Sequence, residues 1–225
     1  MGSDNRNGPR TTLLGFLRDL RDHNERTWFA ANRARYDGAR GQFEALVGML
    51  IDRFDAVDDL GGVSAGECVF RINRDVRFSR DKSPYKTAMG ALLGRSGRRS
   101  GVRSYYLHVE PDGLSFLAGG LYEPTPAELE RVRAAIVDDP APLRAVLADP
   151  DHVRFFGPLR GESLKTAPRG YPKDHPAIDF LRLKRYVASH PLSDDAVASD
   201  GLVSHALEVY TAMKPFLLWL ESALA

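Results

Sequence analysis

YYLHVEPDGLSFLA, residues 105–118, alternates apolar and polar side chains on both sides of a Pro111-Asp112-Gly113 turn. Successive side chains of a strand point to opposite sides, so Tyr105, Leu107 and Val109 share one face and Tyr106, His108 and Glu110 the other. Asp-Gly suits the backbone of a tight hairpin, and beyond it Leu114, Phe116 and Ala118 take up the period of two again. The stretch predicts an antiparallel hairpin, and the segments around it decide the fold class.

Upstream, Cys68, Phe70 and Ile72 alternate with Val69, Arg71 and Asn73. After Arg74, Val76 and Phe78 stand opposite Asp75 and Arg77, so the pattern predicts a strand with one apolar and one charged face. A further strand is expected within 87–93, joined to the hairpin by a Gly/Ser/Arg loop over 94–101 that should be exposed and mobile. Helical periodicity brackets this region. Thr11 or Thr12 is placed to cap a helix bearing Leu13, Leu14, Leu17 and Leu20 on one side, ended by His23-Asn24. Thr27 opens a longer pattern with Phe43, Leu46, Val47, Leu50, Ile51 and Phe54 inward, in which Asp37-Gly38 is the expected break. Downstream, Thr125-Pro126-Ala127-Glu128 reads as a capping box with Pro at the first helical position, ahead of Leu129, Val132 and Ile136. A short helix around Leu143, Val146 and Leu147 and a Pro-rich irregular stretch over 157–176 follow. Then come a strand over 186–189 and a last helix, capped at Ser199 or Asp200, with Pro215 placed to kink it. Helices, then strands, then helices predict an α+β fold around a largely antiparallel sheet in the middle of the chain.

The 225 residues are 43% apolar, enough for a sizeable core. No Pro/Gly/Ser linker interrupts the apolar pattern, so residues 11–225 are expected to form a single domain behind a disordered tail at 1–10. No signal peptide and no apolar run near the ~18 residues of a membrane helix is read. Cys68 is the lone cysteine, which excludes an internal disulfide, suits a reducing compartment and makes the cytoplasm the expected location.

The formal net charge of +1 conceals an asymmetry. Between Glu67 and Arg103 stand ten basic residues (Arg71, Arg74, Arg77, Arg80, Lys82, Lys86, Arg95, Arg98, Arg99, Arg103) against three acidic ones (Glu67, Asp75, Asp81). Such a cluster focuses a positive potential whatever the total charge. Arg71, Arg74, Arg77, Lys82 and Lys86 with Tyr85 are the candidate ligands of a small phosphorylated or otherwise anionic molecule, because guanidinium forks, ammonium charges and a phenol all donate to oxyanions. The competing reading is an internal salt-bridge lattice neutralised by Asp75, Asp81 and acids elsewhere.

The run from Phe70 to Lys86, FRINRDVRFSRDKSPYK, resembles the signature of the domain-of-unknown-function family 2461. Trp28-Phe29 with Asn32 and Tyr36, Gly119-Gly120-Leu121-Tyr122, and Pro172-Lys173-Asp174-His175-Pro176 support the resemblance. It implies a single-domain, mostly bacterial protein with no assigned activity, and it brings no catalytic residues with it.

Three further constellations bear on function. In Lys173-Asp174-His175-Pro176, Asp174 and His175 have the types of an orienting carboxylate and a general base, with Lys173 as an added cation. The competing role is a turn, with Asp174 as cap and Pro176 opening the next helix. His108 and Glu110 share a strand face about 7 Å apart, the makings of two metal ligands; no third is evident, so neither a metal nor any other cofactor is assigned. Trp28, Phe29 and Tyr36 recur at helical spacing and read as core, with Asn32 as a polar residue in need of a partner. No phosphate-binding Gly-rich loop, nucleophile elbow, zinc-protease helix or dinucleotide fingerprint is present. The sequence therefore favours a binder or enzyme for a small anion. Nucleic-acid binding through the basic 95–103 stretch, and a protein-interaction role without catalysis, are the alternatives.

Overall fold

The computed structural model describes residues 9–159 and 161–225. It is an α+β structure with a four-stranded antiparallel sheet in the order β1-β2-β3-β4, comprising β1 (Met89–Leu93), β2 (Tyr105–Val109), β3 (Ser115–Leu121) and β4 (Tyr186–Leu192), with helices before and after it in the chain. Two compact units are each assembled from separate stretches of sequence, so no one linker divides them.

The first unit contains the chain up to Ser100, Tyr106–Leu117 and Pro191–Glu208. Helix α1 (Pro9–Asp22) packs along α3 (Arg33–Ile51) and α9 (Asp194–Ala198). Leu13, Leu17 and Leu20 from α1 meet Phe43, Leu46, Val47 and Leu50 from α3 in a core where all seven are sealed from solvent. Each such side chain contributes about 1.5–3 kcal/mol by burial. Phe16, also buried, extends this core into an aromatic group with Phe29 and Tyr36. Helix α1 starts at Pro9, inside the stretch expected to be a tail; residues 1–8 of that tail lie outside the described residues.

Four local expectations are corrected in this unit. The helical break falls at Asn32, between α2 (Arg26–Ala31) and α3, while Asp37-Gly38 lies inside α3, where Gly38 faces open space. Residues 68–78 form no strand. Ser64 and Glu67 make a capping box that folds 65–68 into the short helix α4 (Ala65–Cys68), and beyond it only the isolated bridges Val69 to Ala91 and Asn73 to Tyr85 pair. Phe78, placed inward by the alternation, is 95% exposed. The hairpin forms with Asp112 and Gly113 both at positive φ, as in a primed turn, but the inner face of β3 is one residue out of step with the expectation. Ser115 and Leu117 point in, Phe116 is on the outer face, and Leu114 is exposed in the turn.

The second unit contains Gly101–Tyr105, Ala118–His190 and Val209–Ala225. Helix α5 (Pro126–Asp138) opens on the expected capping box: Glu128 N–H donates to the Thr125 hydroxyl at 3.2 Å, and the Glu128 carboxylate accepts the Thr125 N–H at 2.8 Å. Val132 and Ile136 from α5, Leu143 from α6 (Ala141–Ala148), and Tyr210, Met213, Phe216, Leu217 and Leu220 from α10 (Leu202–Leu224) are fully buried. Helix α7 (Pro150–Phe156), capped by Asp149, was not expected from the pattern, and neither was α9 of the first unit, capped by Ser193. The short α8 (Ile178–Leu181) has Ala177 as its N-cap, so neither Asp174 nor Pro176 opens it. Among the described residues, no helix is long and apolar enough to cross a membrane.

Candidate functional site

The basic run from 71 to 86 is a closed loop. Arg74 N–H donates to Pro84 O at 2.9 Å and Lys86 N–H to Ile72 O at 2.8 Å, on either side of the Asn73–Tyr85 bridge. Tyr85 is the fixed point of this ladder. Asn24, just beyond α1, accepts the Tyr85 N–H with Oδ1 at 3.1 Å and donates Nδ2–H to the Tyr85 carbonyl at 3.0 Å. The ring of Phe29 stacks on that of Tyr85, with centroids 4.0 Å apart. The side-chain amide thereby does what a neighbouring strand would do for one residue.

Inside the loop, the two acids are spent locally. Asp75 takes a fork from Arg77, with contacts of 2.9 and 2.6 Å, and this pairing holds its carboxyl below the ordinary range. Asp81 accepts the Ser83 hydroxyl at 2.6 Å, the Ser83 N–H at 2.9 Å and Nη1 of Arg74. Those bonds, Ser83 first and Arg74 after it, hold the Asp81 carboxyl well below the usual carboxylate range. Lys82 donates to the Val76 carbonyl at 2.9 Å. Among the described residues, Arg71, Arg80 and Lys86 have no ion pair. The Lys86 ammonium lies 5.5 Å from the Phe70 ring centroid. Desolvation, and secondarily the charge of Arg71, draws it below its ordinary pKa.

Arg74, Tyr85 and Lys86 line an open basin of about 490 Å³ together with Arg21, Asn24, Asp81, Ser83, Thr87, His108 and Glu110. Arg71, Arg77 and Lys82 are not on its wall. The outer face of β2 supplies the unforeseen part. Glu110 accepts Thr87 Oγ1–H at 2.8 Å and lies 3.0 Å from His108 Nε2, whose Nδ1 is 3.1 Å from the Tyr106 hydroxyl. An ionised Glu110 makes Nε2 the protonated nitrogen, leaving Nδ1 of the neutral ring to accept from Tyr106. Phe116 stacks on His108 at 4.5 Å, and Gly90 leaves room for the Tyr106 hydroxyl, which would stand 2.4 Å from a Cβ there. His108 and Glu110 therefore form a hydrogen-bonded pair rather than two open metal ligands. No group of three or more His, Cys, Asp or Glu side chains suited to a metal occurs among the described residues. The signal for the pair was present in the spacing 106, 108, 110; its partner Thr87 is distant in sequence.

Lys173, Asp174 and His175 belong to the second unit, where His175 Nδ1 accepts Ala177 N–H at 3.1 Å and no hydrogen bond joins Asp174 to His175. In the 94–101 loop Arg98 donates to the carbonyls of Gly66 and Val69, and Arg95 pairs with Asp59 at 2.5 Å. Asn32 donates to the Trp28 carbonyl at 3.0 Å; Phe29 and Tyr36 pack as core, while Trp28 is half-buried.

A second basin in the first unit, about 700 Å³, is lined by Arg26, Arg33, Asp37 and Arg40 over Phe29, Tyr36, Ile72, Asn73 and Tyr85. In the second unit, a basin of about 370 Å³ is lined by Val187, Ala188 and Ser189 of β4 and by residues around His152. His152 is 1% exposed, and neither ring nitrogen has a hydrogen-bond partner among the described residues. Burial draws this imidazole below its ordinary pKa, opposed weakly by Asp149.

No curated protein and no solved structure matches the chain. A family model described as a conserved hypothetical protein (DUF2461) matches residues 12–219, and the chain belongs to that family.

Proposed function

We propose that the basin around Lys86 is a site for a small phosphorylated or otherwise anionic ligand. The observation that carries the reading is Lys86 itself: an exposed ammonium with no ion pair among the described residues, near Arg71 and on the wall of an open basin. Asp81 and Glu110 on the same wall are engaged by Ser83, Arg74, Thr87 and His108, and a bound oxyanion supplies counter-charge to Lys86. Arg74 contributes as well, because Asp81 and the Ser83 carbonyl both engage Nη1, leaving Nε and Nη2 to donate. Arg21 adds charge at the rim, shared with Asp112 at 2.6 Å.

For acid–base work on such a ligand, the arrangement favours His108 over His175. His108 is on the wall of the basin with a carboxylate on its ring, and orientation by a carboxylate is what a general base requires. The small-anion reading also has more support than nucleic-acid binding through 95–103, since Arg95 and Arg98 are committed to protein acceptors.

The test is a thermal-shift series with inorganic phosphate, sulfate, sugar phosphates and nucleotides, run on the wild type and on Lys86→Met, which keeps the stem over Phe70 and removes the charge. A ligand at about 100 times its Kd adds ~2.7 kcal/mol, or roughly 5–10 °C in a chain of this size. A saturable shift lost in Lys86→Met is expected. Absence of any anion-dependent shift, or an undiminished shift in the variant, overturns the proposal.

A further inference from the structure

The second basin bears on which anion the first one takes. Arg33 and Arg40 are seven residues, close to two helical turns, apart on α3, and they reach one wall together with Arg26, the first residue of α2. Their commitments differ. Arg40 is largely used, by Glu44 at 2.8 and 2.9 Å and by the Tyr36 hydroxyl, which accepts at 3.2 Å. Arg33 gives only Nε, to Asp37 at 2.9 Å. Arg26 has no ion pair among the described residues. Asp37 is the sole carboxylate on that wall. Arg26 and both Nη groups of Arg33 thus remain as donors to an oxyanion.

Tyr85 belongs to both walls. Its ladder partner Asn73 lines the second basin, while Arg74 and Lys86, the next residues along each side of the ladder, line the first. The Asn24 amide grips Tyr85 by both backbone groups and Phe29 stacks on its ring, so the residue shared by the two basins is held in place.

We infer that the ligand is elongated and carries two phosphate groups, one at Lys86 and Arg74, the other at Arg26 and Arg33, with its body passing Tyr85. This rests on the anion reading of the Lys86 basin. A single phosphate leaves the arginine wall unanswered; a linear polyphosphate or a bisphosphorylated small molecule answers both walls with one binding event, and the second contact is then intramolecular.

The experiment is calorimetric titration of the full chain with inorganic phosphate, tripolyphosphate and a hexose 1,6-bisphosphate. The variants are Lys86→Met, the double substitution Arg26→Gln with Arg33→Gln, and the charge-matched control Arg95→Gln with Arg99→Gln. Binding of at least one two-ended probe about tenfold or more tighter than phosphate is expected. The Arg26/Arg33 variant should abolish that advantage while keeping a phosphate site that depends on Lys86, and the control should keep the advantage. Tripolyphosphate preferred over the bisphosphate identifies a phosphate chain; the reverse identifies a carbon-bridged pair. Equal affinity for phosphate and both long probes, or an equal loss in the control, overturns the two-ended ligand while the Lys86 site stands. Phosphate binding in the Arg26/Arg33 variant that is undiminished when Lys86→Met is added overturns the Lys86 site instead.

Discussion

Two arginine-rich loops lie in the first compact unit, and their cations do opposite things. In the loop beginning at Gly94, Arg98 is bound to two main-chain carbonyls, Arg95 to Asp59, and Gly97 is buried against α4. In the loop closed by Tyr85, the carboxylates are taken by Arg77 and Arg74, and Lys86 is left facing a basin. Both stretches carry a dense positive charge in the sequence. Charge density therefore does not say which cation is available; the nearby acceptors decide, and carbonyls turned outward by a short helix and an isolated bridge are invisible to a count of acids and bases.

If the Gly94 loop is architecture, its backbone should tolerate change least. Gly97 has φ of +54°, and a Cβ at that position would stand 2.5 Å from the Glu67 carbonyl oxygen. Both the left-handed backbone and the collision with main chain, which has no rotamer to yield, oppose a side chain. Gly97→Ala should cost about 3 kcal/mol of unfolding free energy, measured by urea denaturation. A loss under about 0.5 kcal/mol, the range of an ordinary surface change, would place this loop with its neighbour as an adaptable surface and erase the contrast.

The Tyr85 loop depends on a side chain rather than a glycine. Asn24→Ala removes both bonds of the amide clamp, and a partly buried pair of this kind should cost about 1–2 kcal/mol. The sharper readout is ligand affinity. Anion binding at Lys86 should weaken several-fold in Asn24→Ala, while Gly97→Ala, measured where it is still folded, should leave it unchanged. Equal effects of the two variants on affinity would mean that both loops support the basin.

The sequence makes the contrast only half legible, for reasons that lie in particular residues. The hairpin at 105–118, the Leu13/Leu17/Leu20 stripe and the Thr125 capping box are local patterns, each settled within a few residues, and they place the helices and most of the sheet. The basic run was legible as a composition. Its conformation was not, because Cys68 to Phe78 alternates like a strand yet forms only isolated bridges, at Val69 and Asn73. Period two states a preference for extended backbone, and hydrogen-bonding neighbours are needed to make a strand of it. The Ser64–Glu67 capping box, which overrides the alternation at Cys68, was readable by the same rule that found Thr125. The contacts that shape the basin were beyond local reading: Asn24 lies 61 residues from Tyr85, and Thr87 lies 23 from Glu110.

The smallest expected effect is also the one confined to a single loop. Asp75 and Asp81 bind protons less readily in the folded chain than in an unfolded one, where a carboxyl titrates near pH 4. Their contribution is therefore complete above about pH 4 and is lost as the pH falls below it toward their folded values, since the unfolded chain then takes up protons that the folded loop refuses. Both groups are exposed and screened, so global stability should move little. The local effect should be visible as faster amide exchange at Arg77 and Ser83, whose N–H groups are held by these carboxylates, after correction for the intrinsic pH dependence of exchange. The Gly94 loop is tied through carbonyls that accept from Arg98 and through Asp59, which pairs with Arg95 and holds the Gly61 N–H rather than the amides of Gly97 or Arg99. Its amides at Gly97 and Arg99 should hold their protection over the same acid range. In Asp81→Asn the Ser83 amide should exchange fast at every pH while Gly97 is unaffected. Acid loosening that appears first at Gly97 would reverse the assignment of which loop is held by charge and which by the main chain.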